Sequence, residues 1–292
     1  MNDNPKFYKA SENTNPSNLI IAIISGLAIS IGLGYLYNLF STFIPFIYFN
    51  VLMTIGLGMA IGLAARFISR VCKLNHKKSR LILVVVMALS TFLFQWIAYL
   101  SCHVNGSMIG FGKYLAHLPQ FFVSGEYLNV LSELYNYGSW SIGSFVFNKF
   151  LLIAVWLVEL CIITVLPIMS VLKMTEFPFS ESKNQWYPKF TLTDQFESMS
   201  SKRYFLEEHH KDILRGIHNL KMGAGWRHGI VHIFYQEGEN KQYLSFEKVF
   251  VEGQGKGKRT STYLIENLEI SSQDARSILA EFHNEKEKIN VF

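Results

Sequence analysis

Residues 147–172 read FNKFLLIAVWLVELCIITVLPIMSVL, a run whose charged residues are Lys149 near the start and Glu159 near the middle. A helix needs about 20 mostly apolar residues to cross roughly 30 Å of hydrocarbon. Three further runs of this kind lie upstream, at about residues 19–39, 46–65 and 81–100. The first run is too long for the apolar core of a signal peptide, and no small-residue cleavage site follows it. The sequence therefore predicts a membrane α-helical bundle of four transmembrane helices.

The composition changes sharply after residue 172. Residues 1–172 contain ten Lys and Arg against five Asp and Glu, whereas residues 173–292 contain seventeen of each. The chain as a whole is 50% hydrophobic and only 17% charged, which excludes a disordered protein. Three cysteines in 292 residues exclude a disulfide scaffold. We therefore predict a tail (1–18), a four-span domain (19–172) and a cytosolic domain (173–292).

The net charge of +5 comes from one short loop between the second and third runs. Lys and Arg in short loops stay on the cytoplasmic side, so both termini are predicted to be cytoplasmic in the plasma (inner) membrane. The charge also predicts contact with anionic lipid of the bilayer and gives no reason to expect nucleic acid. The loop contributes six basic residues: Arg66, Arg70, Lys73, Lys77, Lys78 and Arg80.

Two apolar runs carry small residues at four-residue spacing. Such stripes let helix backbones approach closely in a membrane. One interpretation is that the two runs pack on each other as a hairpin, and the other is that a stripe faces a second copy of the chain in a homo-oligomer. The stripes are Gly26, Ser30 and Gly34 in the first run and Thr54, Gly58 and Gly62 in the second.

The segment at about 101–146, between the third and fourth runs, has apolar residues at helical spacing. Pro119 and Gly125 divide it into two pieces. We predict one or two amphipathic helices on the outer face, either as a cap on the bundle or as a lid or pore-lining piece.

Glu159 is the most informative single residue, because a carboxylate inside a membrane is costly and is a functional candidate by default. Gln95 is expected to hydrogen-bond to it, and Tyr99 and Tyr35 to line the same polar site. Two interpretations are open. The residues form a proton or cation relay or ligand pocket, or a protonated Glu159 bonded to Gln95 joins two helices.

The C-terminal region has the composition of a soluble α+β domain. Asp194 and Glu197 indicate a helix start, followed by an amphipathic helix at 201–220. Three stretches rich in β-branched and aromatic residues, 229–235, 243–251 and 260–266, predict an antiparallel meander. A final helix begins at Ser271. The predicted order is helix, three-stranded meander, helix.

Residues 253–259 read GQGKGKR and resemble a phosphate-binding loop at first sight. Glu252 stands where a Walker motif needs glycine, and the loop joins two strands. The loop is either a solvated hairpin tip or an anion contact formed by Lys256, Lys258 and Arg259. A local excess of histidines lacks the spacing of a zinc site, so no metal, cofactor or catalytic residue is predicted.

Two function classes follow. In the favoured one, a non-enzymatic multi-pass protein uses its cytosolic domain to bind a protein partner or small ligand and couples binding to the bundle. In the alternative, the polar intramembrane residues line an oligomeric channel or transporter, or serve a membrane-disrupting effector. A membrane enzyme is the weakest class, because no acid–base or metal cluster stands out.

Overall fold

The computed structural model describes residues 4–11, 15–43, 47–138, 140–142, 145–197, 202–209, 212–221, 223, 225–252 and 258–287. The described chain forms two compact units. Residues 15–175 form a helical unit, and residues 176–287 together with 4–11 form a sheet unit.

The helical unit contains four helices long and apolar enough to cross a membrane, as predicted. Their core includes Ile61, Leu83, Met87 and Ile163, all fully buried. We call the end of the unit at residues 43, 47, 104 and 149 the far end, and the opposite end the near end. The helices are α1 (Pro16–Phe43), α2 (Ile47–Val71), α3 (Lys77–Val104), α4 (Phe111–Phe121), α5 (Glu126–Tyr137) and α6 (Lys149–Leu172).

The helices α1 and α2 contact each other, as Tyr37 and Thr54 show, but the glycines of their two stripes face other helices and not one another. A Cβ added at Gly34 of α1 would lie 2.7 Å from the backbone nitrogen of Gln95 in α3. One added at Gly62 of α2 would lie 3.1 Å from Cα of Pro167 in α6. The glycines of each stripe therefore face a helix two or more elements further along the chain, whereas Thr54 of the second stripe contacts Tyr37 of α1. The spacing within one helix does not specify these partners. The neighbouring stripe positions follow the same pattern: Gly26 and Ser30 contact Met87, and Gly58 contacts Ile162 and Leu166.

The segment between α3 and α6 forms the two predicted helices, α4 and α5. Tyr114 of α4 is fully buried, and its hydroxyl donates to the Phe94 carbonyl of α3 at 3.2 Å. A short hairpin follows, β1 (Trp140–Ile142) with β2 (Phe145–Phe147), which the sequence did not predict. Gly138 precedes it at φ +82°, where a Cβ would lie 2.5 Å from the Phe147 carbonyl oxygen. Only glycine fits this entry to the hairpin.

The sheet unit holds a five-stranded antiparallel sheet, not the predicted three-stranded meander. The three predicted strands are present, and two four-residue strands extend the sheet beside the first of them. These two were missed because a four-residue strand outside the meander carries too little periodicity. The strand order is β8-β7-β6-β5-β9. The strands are β5 (Lys189–Leu192), β6 (Arg227–Phe234), β7 (Lys241–Glu252), β8 (Lys258–Ser271) and β9 (Asn284–Glu287), and a separate small hairpin consists of β3 (Phe179–Ser180) and β4 (Gln185–Trp186).

The predicted helix at 201–220 is two helices, α7 (Lys202–His209) and α8 (Ile213–His218). Asp212 caps α8 by accepting from the Arg215 amide at 3.0 Å. The expected helix start at Asp194 and Glu197 is wrong, because Phe196 forms a β-bridge with Gly229 instead. The predicted final helix is confirmed as α9 (Ser272–Glu281), with Ser271 as its cap.

These helices cover one face of the sheet. Val231 and Ile233 of β6 and Phe246 of β7 pack with Ile217 and Ile278 in one core. Because side chains alternate along a strand, the residues between them point to the opposite face.

The N-terminal segment packs on the edge of the sheet. Phe7 forms a β-bridge with Leu268 of β8, and the Tyr8 amide donates to the Asn267 carbonyl at 2.8 Å. Asn267 is buried, and its side-chain amide donates to the Glu176 carbonyl at 2.7 Å. One residue of β8 therefore holds both the segment that leads into α1 and the segment that follows α6.

Candidate functional site

A polar cluster lies inside the helical unit, and each of the four long helices contributes one side chain. The Tyr37 hydroxyl oxygen of α1 lies 2.6 Å from Glu159 Oε1 of α6, within hydrogen-bond distance. The Tyr37 oxygen is 2.9 Å from Thr54 Oγ1 of α2. The Gln95 side chain of α3 also hydrogen-bonds to Glu159. Tyr37, Thr54 and Gln95 are each less than 10% exposed.

The four residues lie in one layer of the bundle. At 1.5 Å per residue, Tyr37 and Thr54 lie about 9–11 Å from the far ends of their helices. Gln95 and Glu159 lie about 14–15 Å from theirs. The cluster is therefore in the half of the bundle toward the far end, well inside the apolar length of every helix.

The structure brings the predicted pair Glu159 and Gln95 together but places the two predicted tyrosines elsewhere. The Tyr35 hydroxyl donates to the Ile109 carbonyl at 3.0 Å, and its ring stacks on Tyr114. Tyr99 packs edge-on against Trp96 and lies over His103.

Tyr37 is the phenol that sequence reasoning missed. It follows Gly34 by three residues and so continues the stripe of small residues that faces the bundle interior. Tyr35 lies one residue after Gly34 and points to a different side of the helix. The stripe itself was the signal that distinguishes the two tyrosines.

The basic loop is less exposed than its composition indicates. Arg70 and Arg80 are 9% and 4% exposed, and each donates to a backbone carbonyl: Arg70 to Thr175 and Arg80 to Asn75. Arg80 donates to a carbonyl of the turn between α2 and α3, whereas the Arg70 acceptor lies after α6. Lys77 and Lys78 are exposed, and Arg66 and Lys73 are half-buried.

The predicted anion contact at the β7–β8 connection is described only in part. Lys256 lies outside the described residues. Lys258 and Arg259 begin β8 and are exposed.

A second polar site lies on the sheet face opposite the helices. His232 of β6 is 2% exposed and bridges two neighbours. Its Nδ1 is 2.8 Å from Thr191 Oγ1 of β5, and its Nε2 is 2.7 Å from Glu247 Oε2 of β7. The hydrogen bond from His232, aided by one from Ser261, lowers the pKa of Glu247 to about 2. Glu247 is therefore a carboxylate at neutral pH.

These residues form the floor of a groove of about 420 Å³. Its walls carry charges of both signs. Its lining includes Lys189, Thr193, Asp194, Gln195, Ile230, Arg259 and Glu285. A polar groove with mixed charges fits binding of a small polar molecule that carries both signs.

The line Thr191–His232–Glu247 resembles a hydrolytic triad in residue type. Thr191 lies within β5, which pairs with β6 on one side and β9 on the other. The strand amides near its hydroxyl are therefore engaged in the sheet, and an oxyanion needs free amides.

Sequence reasoning missed Thr191 and Glu247 because only the pairing of strands brings them next to His232. Thr191 is opposite His232 only because β5 joins the sheet, and Glu247 is a diagonal neighbour through the β6–β7 register. His228, the other histidine of β6, contacts the Gly225 carbonyl, at 3.1 Å.

No group of three or more His, Cys, Asp or Glu in the part of the chain that the structure describes is placed to hold a metal ion. Cys72, Cys102 and Cys161 are free thiols.

In comparisons with protein-family models, with curated proteins and with solved structures, no match to this chain was found.

Proposed function

We propose that this chain is a multi-pass membrane protein whose cytosolic sheet unit binds a small polar ligand and couples binding to the helical bundle. The observation that carries the proposal is the groove over His232 and Glu247, where this hydrogen-bonded pair is surrounded by side chains of both signs.

The membrane part of the proposal is supported by the surface of the helical unit. Large apolar side chains point outward along its helices: Ile24 is 62% exposed, Leu52 61% and Val158 59%. A contiguous apolar surface of this kind marks contact with lipid. The exposed Lys77 and Lys78 and the half-buried Arg66 and Lys73 support placing the near end at the cytoplasmic face of the plasma membrane.

The coupling part is supported by the two chain connections between the units. Asn267 of β8 bonds to Tyr8, eight residues before α1, and to Glu176, four residues after α6. Inside the helical unit the same two helices share the Tyr37–Glu159 hydrogen bond. A change in β8 on ligand binding therefore acts on the two helices that meet at the polar cluster.

The ligand is expected to be a zwitterion, since Lys189 and Arg259 supply positive groups and Asp194 and Glu285 supply negative ones. Groups of both signs orient a small molecule that has its own separated charges.

Thermal unfolding of the full-length protein in detergent tests the proposal, with a panel of amino acids and other small zwitterions as probes. At least one probe should raise the melting temperature, and Arg259→Ala should abolish that shift. Lys258→Ala is the matched control, because Lys258 is the adjacent exposed cation and does not line the groove. Failure of every probe, or equal responses of the two variants, contradicts the proposal.

The alternative, an oligomeric channel or transporter, has one observation in its favour: all four helices contribute to the polar cluster. The stripes that would join copies are occupied by α3 and α6 of the same chain. The mass of the protein in detergent separates the two functions. A monomer with its packed apolar core offers no path for ions, whereas a closed ring favours the alternative.

A further inference from the structure

We infer that the helical unit contains a proton-binding site: the Glu159 carboxyl holds a proton, and this proton completes a hydrogen-bond chain through three helices. The inference goes beyond ligand binding by the sheet unit and does not depend on it. It is based on a count of protons along the chain of oxygens that starts at Glu159.

Four oxygens lie in series. The Thr54 hydroxyl donates to the Asn50 carbonyl at 2.9 Å. Thr54 Oγ1 is 2.9 Å from the Tyr37 oxygen, and the Tyr37 oxygen is 2.6 Å from Glu159 Oε1. These are three hydrogen-bond contacts, and each needs one proton.

The two hydroxyl groups supply two protons, and the Asn50 carbonyl supplies none. Since Thr54 gives its proton to Asn50, Tyr37 must give its own to Thr54 for that contact to be a bond. The remaining contact, between Tyr37 and Glu159, is then a bond only if Glu159 carries the third proton. A neutral carboxyl satisfies every contact and leaves its carbonyl oxygen free to accept from the Gln95 amide.

Loss of the proton changes which helices are joined. Tyr37 must then donate its proton to the Glu159 carboxylate. No proton is left between Tyr37 and Thr54, unless Thr54 stops donating to the Asn50 carbonyl and donates to Tyr37. The bond between α1 and α2 is therefore lost, and the bond between α1 and α6 becomes a stronger, charge-assisted one. Occupancy of the site by a proton selects between these two arrangements.

The surroundings of the site favour the protonated form. An uncompensated charge in a bundle of this kind is costly. Tyr37 and Gln95, which bond to Glu159, are neutral groups. Lys149 of α6 lies ten residues from Glu159, about 15 Å along the helix, and Arg66 of α2 lies twelve residues from Thr54, about 18 Å. His103 of α3 lies eight residues beyond Gln95, about 12 Å. The acidic side chains of α5, Glu126 and Glu133, are exposed.

Infrared spectroscopy of the full-length protein in lipid nanodiscs at neutral pH tests the inference, because a protonated carboxyl has its own carbonyl band. We expect a band equivalent to one carboxyl per chain that disappears in Glu159→Gln and remains in Glu133→Gln, the exposed control. Gln at this position keeps the chain intact, because its amide donates to Tyr37 as the carboxyl does. Identical spectra for the wild type and Glu159→Gln in this region overturn the inference.

A second variant gives a result that does not require replacing Glu159. Tyr37→Phe removes the partner of the carboxyl proton, so the band should move to the frequency of a more weakly bonded carboxyl. Tyr35→Phe, two residues away and bonded elsewhere, should leave the band in place. A band unchanged in Tyr37→Phe overturns the inference as well.

Discussion

The two units each bury one glutamate in a line of hydrogen bonds, and the two glutamates have opposite partners. Glu247 in the sheet unit faces His232, a group able to carry positive charge, and its pKa is lowered to about 2. Glu159 in the helical unit faces a phenol and an amide, which carry no charge. The comparison teaches that the neighbours, and not the residue type, decide whether a buried carboxyl acts as a charge or as a proton donor.

The largest expected effect is a loss of stability in the helical unit. Gly34→Leu places a side chain against the backbone of Phe94 and Gln95, and backbone at that position cannot yield. We expect loss of ~3 kcal/mol or more and separation of α1 from α3, since overpacking typically costs 1–3 kcal/mol even where side chains adjust.

Hydrogen exchange with mass spectrometry on the full-length protein reports the two units separately. Exchange should rise in α1 and α3 and stay unchanged in β5–β7. Gly32→Leu is the control, because nothing lies within 4 Å of a Cβ at Gly32. Equal effects of the two variants would show that the α1–α3 contact does not depend on close approach.

The next effect is on the sheet unit. His232→Leu leaves the Glu247 carboxylate without its His232 hydrogen bond, and loss of a hydrogen bond to a charged group costs about 1.5–3 kcal/mol. His228→Leu, a buried histidine bonded to a carbonyl, should cost less. The double variant His232→Leu with Glu247→Leu should recover part of the loss. No recovery in denaturant unfolding would mean that the two side chains are not coupled.

The stability of the sheet unit should depend on acid pH, and that of the helical unit should not. The pKa of Glu247 is lower in the folded state than in the unfolded chain, so its stabilisation is present above about pH 4.5 and disappears as pH falls toward 2. At 1.36 kcal/mol per pKa unit, the contribution is at most about 3 kcal/mol.

Hydrogen exchange in β6 and β7 measured between pH 5 and pH 3 checks this, after correction for the intrinsic rate. Glu247→Gln should flatten the dependence. A protonated Glu159 adds no such acid-sensitive term, so α1 and α6 should keep their protection over the same range. Parallel loss in both units would break the contrast between the two glutamates.

The smallest expected effect is that of a single hydrogen-bond partner in the membrane helices. Tyr37→Phe should lower stability by roughly 0.6–1.7 kcal/mol, between the average and the maximum found for hydrogen bonds between membrane helices. Tyr35→Phe removes a bond to the Ile109 carbonyl and serves as the matched control. Only Tyr37→Phe should alter exchange in α2 and α6, because Tyr37 contacts both. Unchanged exchange in both helices would contradict the chain of bonds.

Periodicity predicted the elements that are long and regular. The four long helices, the two pieces between α3 and α6, strands β6–β8 and the capped helix α9 each carry enough residues for a pattern to appear. The short strands β5 and β9 do not, and their addition turned a meander into a five-stranded sheet. The predicted helix at 201–220 consists of α7 and α8. Asp212 caps α8, because an Asp side chain favours the start of a helix, where it accepts from backbone amides.

The sequence by itself determined where apolar surface must be covered: four helices long enough for a membrane, a charge-balanced domain after them, and a carboxyl in the middle of the last helix. Hydrophobic period and charge are local properties, so they can be read along one chain. Tertiary structure alone decided which glycine stripe meets which helix, that Tyr37 and not Tyr35 reaches Glu159, and that Thr191, His232 and Glu247 form a line. Those contacts join residues up to 122 positions apart, and they depend on helix pairing and strand register.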